Sequence, residues 1–226
     1  MVWFIVYFME KLLKSKLNPE CLKYFQEIAS FREFWRFSAD FEPDFYTDLQ
    51  KTTIITSAGA STRIEGATLT DEDIQKKLTG LKIQKIQSRD EAEVAGYIDC
   101  KKYLFDHFAD LPFSEHTVRS LHHMMMSYLS KETFPLSQRG TYKNISNSVA
   151  RIDHASGEQE IIFETTPPGP QTEVAMRNLI TQYNEYIADQ NFSDLEVVAA
   201  FIVKFLAIHP FRDGNGRMSR LLTDLC

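Results

Sequence analysis

A histidine, an aspartate and three arginines share one twelve-residue run, HPFRDGNGRMSR (His209–Arg220), strung on a Gly-Asn-Gly step. Glycines on either side of Asn215 admit backbone conformations that turn successive amides to one side of the chain. If a helix opens near Asn215, those amides are its free N-terminal donors, a nest suited to phosphate. Arg217 and Arg220 stand three apart and are expected on one face of that helix. Guanidinium groups there grip phosphate oxygens in pairs. Asp213 offers the hard carboxylate ligand that Mg²⁺ takes when it also holds phosphate.

His209 ends the apolar stretch that precedes the run, where a helix dipole favours the imidazolium and so strengthens the neutral ring as a base. A base beside an electrophilic phosphate implies group transfer to a hydroxyl, with positioning and charge stabilisation supplying most of the rate. Each feature alone is ordinary. Their coincidence directly behind a capped apolar helix favours a site.

The elements that must position these residues are mostly helical. Val94, Tyr97, Ile98, Phe105 and Phe108 recur at helical spacing over about 89–109. Ser114 caps a second helix carrying Val118, Leu121, Met125 and Leu129. Met176, Leu179, Ile180, Tyr183 and Ile187 mark a third. Ser193 and Glu196 form a capping box ahead of LEVVAAFIVKFLAI. That segment is apolar apart from Glu196 and Lys204, and is expected to be buried on most sides, delivering His209 at its end.

SNSVARIDH and QEIIFE flank ASGE (155–158) and read as a β-hairpin, though their alternation is imperfect. TPPGP closes it, because prolines cannot donate to a ladder. Residues 44–65 read as a helix ending at Glu65-Gly66, and Thr70 caps another through Leu78. A soft boundary falls near 80–90. His122-His123, followed by three methionines, is read as a helix face rather than a metal site, because adjacent residues point about 100° apart. Phe31, Phe34, Trp35 and Phe37 are read as packing of the N-terminal segment.

Bulk properties limit the alternatives. The chain has 226 residues, 43% hydrophobic and 25% charged, enough for one sizeable core. A net charge of −6 argues against nucleic-acid binding through bulk charge. Cys21, Cys100 and Cys226 are odd in number and widely spaced, which suits free thiols in a reducing cytosol. MVWFIVYFM at the N-terminus is too short to span a bilayer and lacks a basic leader, so it is read as a buried edge. These points make a cytoplasmic protein with no membrane partner the expectation, and leave the oligomeric state open.

HPFRDGNGRMSR resembles the signature of the Fic family, HxFx[D/E]GNGRxxR, at every fixed position. GTYK (140–143) is similar to the family's G-x-[FY]-R, with Lys143 where arginine is usual, and TPPGPQTEVAM resembles the segment after the family's flap. The resemblance implies a mainly α fold, a helical bundle with a β-hairpin flap. It implies a core over 85–226 and an N-terminal helical segment over 1–84. It also implies transfer of AMP from ATP to a protein hydroxyl.

Carried onto this sequence, the resemblance makes His209 the general base and Asp213 the Mg²⁺ ligand. Gly214, Asn215 and Gly216 become the anion cradle, Arg217 a phosphate contact and Arg220 the holder of the γ-phosphate. Glycine at 216 favours AMP transfer over the phosphate transfer of the Doc branch. STRIEG (Ser61–Gly66) resembles the family's inhibitory motif, implying that Glu65 pairs with Arg220 and competes with ATP. The flap, 145–166, would dock the target protein by main-chain pairing. AMP removal at the same site and a silent binding module remain the alternatives. The short last helix must either pack on the core or belong to a longer chain of which this is a fragment, and the fragment is the favoured expectation.

Overall fold

The computed structural model describes residues 19–38, 43–80, 86, 88–152 and 159–226. Among them are eight helices and one two-stranded antiparallel sheet, a mainly α architecture. MVWFIVYFM and the ASGE turn lie outside the described residues, as does the Phe37 side chain.

Helix α1 spans Pro19–Ser38 and α2 spans Pro43–Ile64. Helix α3 is Asp71–Gly80, α4 Arg89–His107 and α5 Glu115–Met126. Strands β1 (Ser148–Ile152) and β2 (Gln159–Glu164) follow, then α6 (Pro170–Ile187), α7 (Asp194–Ile208) and α8 (Asn215–Leu225). Helix α4 packs on α2 and α5, α7 packs on α6 and α8, and α8 also touches α2, α4 and α5.

Local chemistry sets the helix ends. Ser88 and Ser114 side chains accept from the amides of Glu91 and Thr117. At α7 the Glu196 carboxylate accepts from the Ser193 amide at 3.0 Å. Helix α2 stops in a Schellman turn: the amides of Gly66 and Ala67 reach back to Arg63 and Thr62 at 3.0 and 3.1 Å, with Gly66 at φ 98°. Glu65 is thereby placed at the very end of α2. Thr70 and Asp73 cap α3 reciprocally.

Two expectations need correcting. The first stripe keeps Val94, Tyr97 and Ile98 in the core, but continues through Leu104, leaving Phe105 and Phe108 exposed. Helix α7 is not buried on most sides: Leu195, Ala199, Val203 and Ala207 form an exposed row. Lys204 is buried, with its ammonium 3.0 Å from Gln182 Oε1. The apolar sequence conceals which side faces α6 and α8. The imperfect strand alternation has a cause as well. A bulge between Val149 and Ala150 leaves Ile162 without a partner, shifting the pairing from Val149–Phe163 to Ala150–Ile161.

The aromatic residues of α1 stay largely at the surface. Trp35 packs edge-on against Tyr46 at 4.6 Å, linking α1 to α2, while Phe31 and Phe34 remain exposed. No helix among the described residues is long and apolar enough to cross a membrane.

Candidate active site

The site is a loop, 209–214, strung between the C-terminus of α7 and the N-terminus of α8. His209 closes α7 by donating its amide to Phe205 at 2.9 Å. Its backbone is left-handed (φ 51°, ψ 61°), the one non-glycine residue with positive φ among those described. A β-carbon makes that conformation costly, and such strain collects at functional sites. The Nδ1 atom faces the Leu206 carbonyl at 3.3 Å. A carbonyl only accepts, so Nδ1 carries the proton and Nε2 presents a lone pair.

Burial pushes the His209 ring below its ordinary value, and the Lys143 ammonium adds to that, against raising effects from Leu206, Glu65 and Asp213. This corrects the dipole expectation: desolvation outweighs the helix end. The ring is neutral near pH 7 and able to take a proton.

The loop is pinned from below. Phe211 is fully buried and stacks flat on the His122 ring, 3.8 Å between centroids. Asn215 clamps Phe211 at both ends, accepting from its amide at 2.9 Å and donating to its carbonyl at 2.8 Å. The Asn215 side chain is thus a structural tie, and only its backbone belongs to the cradle. His122 accepts from the Gly140 amide through Nδ1 at 2.9 Å and donates through Nε2 to the Asp213 carbonyl at 3.1 Å. Burial drops its pKa to about 4, keeping this tautomer neutral.

Gly214 is left-handed (φ 79°), and a Cβ there would meet the end carbons of Met125 and Met126 at 2.7 and 2.6 Å. The HHMMM run is therefore a helix face as expected, and its Met125 and Met126 floor the 209–214 loop. Met218 is the first α8 amide drawn to a carbonyl of the loop, Gly214 at 2.8 Å. By helix geometry the amides of Asn215, Gly216 and Arg217 are left as free donors.

Arg217 and Arg220 diverge instead of sharing a face. Arg217 is 2% exposed and turned inward, with NH1 3.1 Å from Glu93 Oε2 and NH2 3.3 Å from Asp213 Oδ1. Its Nε and NH1 lack hydrogen-bond geometry to any partner. Arg89 bridges the same two acids, Glu93 at 2.8 Å and Asp213 at 2.9 Å. Arg217 thus supplies buried positive charge under the cradle rather than an open fork.

Asp213 retains a partly exposed carboxylate, the single-acid donor that suits Mg²⁺ arriving with phosphate oxygens. Among the described residues no group of three or more His, Cys, Asp or Glu side chains could hold a metal. The Asp213 carboxylate, once Arg89 gives way, would offer a metal one oxygen ligand from the chain.

Arg220 points to α2. Its Nε donates to Ser61 Oγ at 2.7 Å, and NH2 donates to the Ser61 carbonyl at 3.0 Å and to Glu65 Oε1 at 2.7 Å. Glu65 Oε1 also lies 2.3 Å from where a Cβ at Gly216 would sit. The structure thus brings His209, Asp213, Gly214, Gly216, Arg220 and Glu65 around one loop. His122, Glu93 and Arg89 join them unannounced, because their partners lie about 90 to 124 residues away in sequence, with no local pattern to mark them.

The comparisons agree with this geometry. A Fic/DOC family model matches residues 112–226. A Fido domain-containing protein of Dictyostelium discoideum is 43% identical over 81 residues, covering 36% of this chain and 54% of that protein. The chain thus aligns with about half the length of that relative. A Fic family protein from Desulfovibrio desulfuricans is similar in fold, with TM-score 0.69, 24% identity, 93% of this chain and 58% of the other. A Fic domain-containing signaling protein from Bacteroides thetaiotaomicron superposes at TM-score 0.60, with 22% identity over 99% of this chain and 70% of the other. With half of its length matched by the family model, and with the motif folded as a loop between α7 and α8, the chain belongs to the Fic/DOC family, whose members typically transfer AMP onto proteins.

Proposed function

We propose that this protein is an adenylyltransferase that moves AMP from Mg-ATP to a hydroxyl of a target protein, held in check by its own Glu65. One observation carries the reading. The motif guanidinium that lies beside the loop without being buried against Glu93, Arg220, is already engaged by Glu65 and Ser61. It cannot hold a γ-phosphate at the same time.

Released from Glu65, Arg220 is free to grip the terminal phosphate, while the free amides of 215–217 and the charge of Arg217 stabilise negative charge at the transferring phosphorus. Mg²⁺ at Asp213 would neutralise further phosphate charge. His209 Nε2 accepts the proton of the attacking hydroxyl as its oxygen bonds to the α-phosphorus and pyrophosphate departs. The inhibitory segment belongs to 1–84 and the transferring core to 85–226. The hairpin, 145–166, presents a strand edge to the target, with Ile161 and Phe163 exposed.

The test is labelled ATP with Mg²⁺, given to wild type, Glu65→Gly and His209→Ala. Strong labelling confined to Glu65→Gly is expected. Equal weak labelling of all three overturns the proposal. A second reading has support in the Glu65 side chain, 37% exposed beside the cradle. There it would orient a water for AMP removal, and loss of label from pre-modified protein with wild type but not Glu65→Gly would select that reading.

A further inference from the structure

Lys143 sits where the sequence resemblance leads one to expect arginine, and it is 2% exposed. Its ammonium donates to three neutral acceptors: Asn147 Oδ1 at 2.7 Å, Thr165 Oγ1 at 2.7 Å and the Ile208 carbonyl at 3.0 Å. Asn147 immediately precedes β1 and Thr165 immediately follows β2, so one nitrogen holds both roots of the hairpin. The third acceptor is the last carbonyl of the helix that carries His209.

The contact extends along the backbone. The Lys143 amide donates to the Pro210 carbonyl at 2.8 Å. Asn147 Nδ2 donates to the Phe211 carbonyl at 3.1 Å and the His209 carbonyl at 3.4 Å. Four consecutive carbonyls, 208 to 211, are therefore capped from the hairpin side by two residues. Thr165 completes the clamp by donating to the Asn147 carbonyl at 2.8 Å.

Resting on the proposed transfer reaction, we infer that Lys143 is a positioning residue: it bolts both roots of the hairpin to the carbonyl end of α7, and so sets where a docked chain's hydroxyl lies relative to the His209 ring. The chemistry explains the lysine. Three acceptors surround a single point, matching a tetrahedral ammonium and not a planar fork. No carboxylate is among these partners, and burial alone lowers the group to about 8. A two-stranded hairpin is marginal by itself, so its orientation depends on such an anchor.

The test is amide exchange and histidine titration by NMR on the intact chain, with wild type, Lys143→Met, Lys143→Arg and Thr165→Val. In Lys143→Met the hairpin amides exchange at least tenfold faster while α5 and α6 stay protected. The His209 ring titrates at higher pH, because a neighbouring positive charge is gone. Lys143→Arg fails to restore hairpin protection, and Thr165→Val, which removes one acceptor, gives a smaller version of the exchange effect. Unchanged hairpin exchange in a folded Lys143→Met overturns the inference, whatever the activity proves to be.

In the Glu65→Gly background, the ratio of self-labelled protein to AMP released to water falls tenfold or more with Lys143→Met, since water needs no hairpin. An unchanged ratio overturns the positioning role. Absence of labelling and of AMP release in Glu65→Gly itself would instead count against the proposed function, with the exchange result still deciding the clamp.

Discussion

Glu65 Oε1 lies 2.7 Å from Arg220 NH2, across 155 residues of sequence, and fills the space that any side chain at Gly216 would need. The end of α2 is thereby docked on the first turn of α8. The pair is partly exposed, so its contribution to stability is modest even if its effect on function is large.

Glu65→Gln should therefore lower stability by only about 0.5–1 kcal/mol while raising labelling tenfold or more. Urea denaturation and a labelling assay on the same preparation check both. A variant that loses stability and gains no activity would separate the ion pair from any inhibitory role. Gly216→Ala pushes the Glu65 carboxylate aside and should weaken the same pair.

The pH profile follows from the His209 ring. Burial holds its pKa below the ordinary 6.5, so the neutral base predominates at pH 7. In Glu65→Gly the transfer rate should be flat just above pH 7 and fall on acidification, with a midpoint below 6.5. A midpoint above 7 would show that the helix end governs the ring after all. His209→Ala should cost roughly 10²–10⁴ in rate.

Glu93 and Arg89 touch the same charges with different consequences. Arg217 is buried against Glu93, so Glu93→Ala leaves the buried cation with Asp213 alone and should cost about 3–5 kcal/mol. In a chain of this size that is roughly 10 °C in melting temperature. Arg89 has 57% of its side chain exposed, and Arg89→Ala should cost about 0–1 kcal/mol. Parallel thermal melts distinguish the two.

His122 joins α5 to the 209–214 loop. His122→Phe keeps an aromatic ring against Phe211 but leaves the Gly140 amide and the Asp213 carbonyl without partners, at about 1–3 kcal/mol each. ATP binding, measured by calorimetry in the Glu65→Gly background, should weaken with it. The folded ring titrates near 4 and the unfolded ring near 6.5, so the folded state binds fewer protons between those values. That share of stability is complete above pH 6.5 and is lost as pH falls toward 4. The acid slope of stability should be shallower in His122→Phe.

What the chain determined by itself was local. Motif spacing, the serine caps at 88, 114 and 193, the Glu65-Gly66 helix end and the Asn215 helix start are short-range matters, settled by backbone conformation and hydrogen bonds within a few residues. Those features already contained the loop and the histidine on which the proposed transfer rests. Tertiary structure decided the directions. It turned Arg217 inward to Glu93 and Arg220 outward to Ser61 and Glu65, though both sit on one short helix. It buried Lys204 and exposed Val203 on a helix whose composition hides its inner face. It lowered His209 by desolvation, where a helix end alone would have raised it. The reason is common to all three: burial and long-range charge depend on what packs alongside, and neighbours about 20 to 160 residues away leave no local mark in the sequence.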